Sequence, residues 1–306
     1  MLKQALMKIW KEVFHDTDDF IHLFFERVYK EDNVQFLLED ERIVSSLHMV
    51  PYKLNYKGLE IPTSYICGAA TAPDARNKGL MGKLLNQSFS TMKKRNIPIS
   101  VLIPANEELY TYYQHFGYKN IFHQQLVQIK KENLVVQKEI VVKDNEYSSE
   151  LFAYFDSEQR KRPCSILHDS FDFETICMEH KQADALLLTS KREGVITGFM
   201  FAIPNSHTRS LFISESFSQT IADRDAMLHQ AFQCTEYDIC WIRSAPTSND
   251  NIQKRGMLKI IDRKPLLELI DKNRLNPSAF SDSWSDEVLL QHLFHNTYPY
   301  MNLMLD

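Results

Sequence analysis

The chain has 306 residues, 44% apolar and 25% charged, a balance in which each of roughly two domains can bury its own core. Its 35 basic residues stand against 40 acidic ones for a formal charge of -5, and no run of Lys and Arg is long enough to follow a phosphate backbone, so nucleic acid is excluded as an expected partner. Lysines interrupt the apolar residues of "MLKQALMKIWKEVF", and nothing later approaches the ~18 apolar residues of a membrane span, which predicts a cytoplasmic protein with no membrane partner.

Five cysteines, Cys67, Cys164, Cys177, Cys234 and Cys240, form no C-x-x-C pair and have no His at ligand spacing. The expectation is reduced, buried thiols and no metal.

In chain order, "NVQFLLED" reads as a strand, "EDER" as a tight charged turn and "IVSSLHMVPYKLNY" as the antiparallel return, broken by Pro51. A short loop through Gly58 and Pro62 leads to a third strand, "TSYICGAAT". From Gly79 onward Leu80, Met81, Leu84, Leu85, Phe89 and Met92 recur at helical spacing, and Pro98 places the end of that helix near Arg95. "ISVLIP" is a short buried strand, "ANEELYTYYQHFGYK" a helix closed by Gly117, and "NIFHQQLVQIK" a last strand.

Between the third strand and the first of these helices lies "TAPDARNKGLMGKLL", with two of the eight glycines, Gly79 and Gly82, in one turn. Unpaired N–H groups at a helix start, together with the aligned peptide dipoles, hold an anion such as a pyrophosphate. Gly79 lacks the Cβ that would hold a phosphate off, and Arg76 and Lys78 add charge at the rim. The alternative is an ordinary turn with a helix packing contact at Gly82. A Rossmann G-x-G-x-x-G and a G-K-[ST] phosphate loop are both missing.

Two separate motifs are similar to those of the Gcn5-related N-acetyltransferase (GNAT) superfamily. Arg76, Asn77, Lys78 and Gly79 match its R/Q-x-x-G-x-G/A turn, and Asn106, Tyr113, Gly117 and Tyr118 match its N-x-x-A-x-x-x-Y-x-x-x-G-F helix. Met81 and Leu109 depart from the small residues that the two motifs prefer. The R-x-x-G-L-M turn, the following "YYQHFGY" and the long second half look most like the enhanced-intracellular-survival branch.

The resemblance implies acetyl-CoA as co-substrate, bound in a cleft between splayed third and fourth strands. Backbone amides of Cys67, Gly68, Ala69, Ala70 and Thr71 would take the cofactor arm and carbonyl. The turn of Arg76, Asn77, Lys78, Gly79, Leu80, Met81 and Gly82 would take the pyrophosphate, with Asn106 also facing the arm. Tyr113 would be the acid that protonates the departing thiolate; the bland alternative is a packed helix aromatic. In the branch a C-terminal carboxylate enters the active site, which here would be that of Asp306. The acceptor would be a primary amine of a small molecule or a peptide, and homo-oligomerisation stays open.

The second half repeats the element order: "ADALLLTS", a "KREG" turn, "VITGFMFAIP", "RSLFISESFS", a helix from about Asp223, "YDICWIRSAP", a helix to Gly256 and "MLKIIDRKPLLELI". Aligning Gly256 with Gly117 puts Ile252 at the tyrosine and Ala245 at the asparagine. The corresponding turn, "QTIADRDAML", has no glycine and two aspartates that would repel phosphate. The expected organisation is α/β (α+β), with two tandem GNAT-like domains, each a mixed, mostly antiparallel sheet flanked by helices. Residues 1–135 would be catalytic, 136–275 a degenerate copy, and 276–306 a tail docking back on the chain. "FDSEQRKRPCSILHDSFDF" links the copies as a partly helical segment whose "RKR" is a solvated face.

The branch also ends in a sterol-carrier-like domain of about a hundred residues, whereas about thirty follow the second copy here, so aminoglycoside acetylation is not carried over. Two alternatives stand beside the enzyme: a noncatalytic acyl-CoA sensor, and an aminoacyl-tRNA-dependent peptidyltransferase, which would lack the intact R-x-x-G turn and be basic.

Overall fold

A computed structural model of the chain describes residues 1–135, 140–144, 146–246, 251–273, 275, 283–295 and 297–305. It opens on two helices, α1 (Leu2–Phe14) and α2 (Asp18–Arg27). On α1 the residues Leu6, Ile9 and Trp10 share the buried stripe, and His15 ends it in the left-handed conformation. Thr17 caps α2 by accepting from the Phe20 N–H at 3.2 Å, and Phe24 and Phe25 are buried.

Three antiparallel strands follow: β1 (Val34–Glu39), β2 (Arg42–Tyr56) and β3 (Leu59–Thr71). Asp40 and Glu41 join the first pair with φ of 47° and 63°, and Lys57 and Gly58 the second with 52° and 89°. Both are turns in which two residues at positive φ match the strand twist. The expected break at Pro51 does not occur, since β2 runs straight through it. β1 pairs with β2 up to His48 and a later strand pairs from Lys53 onward. Pro51 lies between them, where that flank of β2 has no ladder partner to lose.

Next come α3 (Leu80–Lys94), β4 (Ile99–Leu102), α4 (Glu107–Gln114) and β5 (Lys119–Lys130). The second half contains β6 (Val141–Asp144), α5 (Ser149–Lys161), β7 (Cys164–Leu167), α6 (Ser170–Gln182), β8 (Leu186–Arg192), β9 (Val195–Asn205), β10 (Ser210–Ser218), α7 (Ile221–Gln233), β11 (Ile239–Ser244) and β12 (Ile252–Ile260). Then α8 (Arg263–Lys272) and α9 (Asp286–Leu293) lead to the tail.

The sheet order is β1-β2-β3-β4-β12-β5-β11-β10-β9-β8-β6, with β7 on β2. Two tandem domains, each with its own sheet, were expected; among the described residues the strands form one continuous sheet of 12. Apart from the additions β6 and β7 the order is a palindrome: β1 to β5 correspond to β8 to β12, and the halves exchange their last strands. β12 lies against β4 and β5 lies against β11, each antiparallel.

The helices repeat as well, α5, α6 and α7 standing where α1, α2 and α3 do. α4 has no counterpart among the described residues. The helix expected to end at Gly256 is instead β12, with Gly256 inside it at an irregularity in the β5 register. A Cβ on Gly256 would come within 2.1 Å of Met301 Cε and 3.0 Å of the Leu102 carbonyl oxygen, so this glycine admits the tail rather than ending a helix.

One face of the sheet carries α1, α2, α5, α6 and the tail residues Met301, Leu303, Met304 and Leu305 in a single apolar cluster. On the other, α3 and α4 share a cluster with Tyr110, Tyr113 and Tyr118, and α7 covers a third. α2 meets α6 through Arg27, which pairs with Glu174 and lies 4.1 Å over the Phe171 ring.

Candidate active site

The cleft begins with a fault in β3. Cys67 pairs with His48 and Ala70 with Ser46, so Gly68 and Ala69 together face Leu47 in a bulge. Gly68 has φ +54°, and a Cβ there would lie 2.2 Å from Trp10 Cζ3. Only glycine permits both the backbone and the close ring. β3 pairs in parallel with β4 over Thr63–Tyr65 alone, so past the bulge no β4 residue pairs with it and the two strands part.

Beyond Thr71 the chain makes a short 3-10 turn at Pro73–Ala75, passes Asn77 at φ +62° and enters α3 through Gly79 at φ +73°. No side chain caps α3, which leaves its first N–H groups for a ligand. A Cβ on Gly79 would meet nothing within 4 Å, so the turn is open on the side a phosphate would approach. Gly82 differs: a Cβ there would come 2.9 Å from Phe116 Cζ, which makes it the packing contact between α3 and the end of α4.

A cavity of about 390 Å³ joins bulge, turn and α4. Of the residues expected at the site, Ala69, Thr71, Arg76, Asn77, Gly79, Leu80, Met81 and Tyr113 line it. Cys67 and Ala70 are buried in β3. Lys78 is exposed and pairs with Glu39 at 3.0 Å, while Arg76 Nε donates to the Thr71 carbonyl at 3.3 Å. Asn106 caps α4, its Oδ1 accepting from the Leu109 N–H at 3.0 Å, and does not line the cavity. Asp306 lies outside the described residues.

Val13, Ala75, Leu109 and Tyr112 line the cavity without having been expected there. Tyr112 lines the cavity beside Tyr113, since a cleft at the end of a short helix is reached from two neighbouring positions. Val13 comes from α1, and nothing in its local sequence indicates that placement.

Tyr113 is buried, edge-on to Tyr112 at 5.3 Å and to Tyr118 at 5.9 Å. Burial, helped by Tyr112, pushes its phenol well above the ordinary tyrosine value, so it holds its proton at neutral pH. Tyr118 is anchored by a 2.7 Å bond to Ser100 Oγ. Gly117 at φ +85° turns the chain out of α4 and allows the Tyr118 N–H to reach the Tyr113 carbonyl at 3.3 Å.

The second half has the matching strand opening, β10 pairing with β11 over Leu211–Ile213 before a bulge, but both parts of the cleft are filled. Asp223 was expected to repel phosphate from the turn; it is instead fully buried at the start of α7. Its carboxylate accepts from the Thr220 N–H at 3.1 Å, the Thr220 hydroxyl at 2.6 Å, Arg192 Nε at 2.9 Å and the Thr197 hydroxyl at 2.8 Å. The chain's own carboxylate takes the anion position.

Past the bulge, Asn302 of the tail donates to the Ser214 carbonyl and accepts from Arg243 Nη1 at 2.9 Å. Arg162, read as part of a solvated face, pairs with buried Glu215 at 3.1 Å and lies 4.0 Å over the Tyr300 ring. The thiols are free, and Cys234 is exposed where all five were expected buried. Among the described residues no group of three or more His, Cys, Asp or Glu is placed to hold a metal, and no helix is long and apolar enough to cross a membrane.

The bulged β3, the parting of β3 from β4 and the uncapped helix after an R-x-x-G turn define the class. The chain has the GNAT N-acetyltransferase fold, and residues 3–121 match the acetyltransferase (GNAT) domain family. The structure is similar to that of a GCN5-related N-acetyltransferase from Anabaena variabilis, with TM-score 0.72 at 14% identity over 87% of this chain and 72% of that one. It is similar also to a probable N-acyltransferase of unknown function from Enterococcus faecalis (0.71, 15%, 87% and 72%) and to Eis1 from Mycobacterium abscessus (0.66, 10%, 87% and 73%). No curated protein matches the chain.

Proposed function

We propose that the protein is an acetyl-CoA-dependent N-acetyltransferase acting on a primary amine of a small molecule or peptide. In this reading the chemistry is confined to residues 1–135, residues 136–275 form a noncatalytic copy, and the arrangement is that of the enhanced-intracellular-survival branch. The observation that carries it is one cavity shared by an open, uncapped helix start at Gly79 and a buried, protonated Tyr113.

Acetyl-CoA supplies a thioester whose acyl group passes to a neutral amine. The start of α3, with Gly79, Leu80 and Met81, would bind the pyrophosphate through backbone N–H groups, Arg76 and Lys78 adding charge at the rim. The β3 amides between Cys67 and Thr71 that face the side from which β4 has parted would orient the arm and the acyl oxygen. Tyr113 would give its phenolic proton to the departing sulfur. Burial raises the phenol, and it raises a thiolate in the same apolar space too, so donor and acceptor stay close enough for transfer.

The test is release of free thiol from acetyl-CoA in the presence of a panel of primary amines, with wild type and Tyr113→Phe compared. The expected result is amine-dependent thiol release, lowered in the variant by roughly 10² to 10⁴ at unchanged cofactor affinity. Cofactor binding without thiol release for any amine would make the protein a sensor. Unchanged turnover in the variant would make Tyr113 a packing residue.

A further inference from the structure

The bulge that opens the cleft is held from behind. Trp10 comes from α1 and belongs to the cluster on the face of α1 and α2, whereas α3 and α4 pack on the other face. A Cβ on Gly68 would meet three atoms of the indole's six-membered ring, Cζ3 at 2.2 Å and both Cε3 and Cη2 at 2.9 Å. The ring therefore fills the space that the missing side chain leaves. It meets the other strand of the fault as well: His48, which pairs with Cys67 at the start of the bulge, has its ring centre 5.5 Å from that of Trp10.

The ring has no room to retreat. Phe24 stands 4.5 Å from it, Phe14 5.3 Å and Phe25 5.8 Å, and Trp10 is buried. A polar contact fixes its orientation: Nε1 donates to Asp16 Oδ2 at 2.8 Å. Asp16 lies beyond the end of α1, and His15 at φ 59° turns the chain there so that the carboxylate comes back to the indole. A hydrogen bond to a carboxylate is among the stronger kinds, so the ring keeps one setting. One turn further along α1, Val13 lines the acetyl cleft, while Trp10 itself does not reach it and acts through Gly68.

Backbone position at the bulge matters because a displacement of about 1 Å at a reacting centre can cost on the order of a hundredfold in rate. We propose that Trp10, aligned by Asp16, is a positioning residue for acyl transfer, bracing Gly68 so that the β3 amides keep the geometry the thioester needs. The role in transfer rests on the acetyl-transfer reading; the brace itself does not.

The comparison is of wild type with Trp10→Phe, Asp16→Ala and Asp16→Asn, each checked for folding by its melting temperature. Trp10→Phe should lower kcat at least about tenfold, within what such a displacement costs, and hold acetyl-CoA affinity because the Gly79 turn is untouched. A Trp10 that only packs would lower the melting temperature and leave kcat unchanged. Asp16→Ala should lower kcat in the same direction, and Asp16→Asn, whose amide oxygen still accepts from Nε1, should recover most of the loss. Hydrogen exchange needs no turnover: a peptide spanning 66–72 should exchange faster in Trp10→Phe and Asp16→Ala, and one spanning 88–94 in α3 should not. Wild-type kcat in folded Trp10→Phe, Asp16→Asn no better than Asp16→Ala, or unchanged exchange at the bulge would each overturn the proposal. Absence of thiol release from wild type with every amine would overturn the acetyl-transfer reading and the role in transfer with it, and the exchange result would still decide the brace.

Discussion

His48 stands on β2 among the rings of Trp10, Phe24, Phe25 and Tyr29, all within 6.1 Å. Burial pushes its pKa down to about 3, and that of His168 down to about 4. A histidine held neutral in the fold titrates near 6.5 once unfolded, so the unfolded chain binds the proton first. The stability each contributes is complete above pH 6.5 and is lost as pH falls through 6.5 toward 4. Asp172, raised to about 6, works in the opposite sense between about pH 4 and 6 but is one group against two. Urea denaturation should therefore show stability falling between pH 6.5 and 4 by on the order of 3 kcal/mol per histidine. His48→Phe, apolar and close in size, should flatten the slope; an unchanged slope would place the acid lability elsewhere. The sequence contained no sign of this histidine, because its aromatic surroundings come from two helices far from it in the chain. Gly79, by contrast, was legible: its turn needs both a positive φ and an open side. Gly82 beside it looked the same in sequence and differs only because Phe116 folds over it.

α3 and α4 were legible because apolar spacing, a capping asparagine and a closing glycine agree over a dozen or so residues, and local agreement of that kind determines a helix. β12 was not. Gly256 looks like the glycine after α4, but its reason lies in Met301 of the tail and in the Leu102 carbonyl, contacts that no local pattern records. The exchange of β5 and β12 is equally invisible, since each strand carries the same alternation whichever neighbour it takes. The tail is the element that ties these pieces together, with Asn302 at its centre. Its Nδ2 donates to the Ser214 carbonyl and its Oδ1 accepts from Arg243, closing the second strand opening. Asn302→Ala removes the bonds to the Ser214 carbonyl and to Arg243, the first of them buried, so unfolding in urea should show a loss of about 1–3 kcal/mol while acetyl-CoA affinity holds. Undiminished stability would mean that the side chain does not close that opening.

At the scale of the whole molecule, two copies of one strand order share one sheet, and they differ in what occupies the cleft. In the first half the helix start at Gly79 is bare, and α4 brings Tyr113 to it. In the second, Asp223 caps the helix start from within, Asn302 closes the strand opening, and no counterpart of α4 is found among the described residues. Both the likeness and the loss of the glycine were readable from sequence. That the aspartate fills the anion position rather than repelling from it was not, because its partners Arg192 and Thr197 come from other strands. Under the proposed function a chain built this way has one cofactor site. Calorimetric titration with acetyl-CoA should give one mole bound per mole of chain. Gly79→Val, which forces a β-branched residue to φ +73° and sets a side chain into the anion turn, should weaken binding at least tenfold while the protein stays folded. A stoichiometry of two, or wild-type affinity in folded Gly79→Val, would contradict the account.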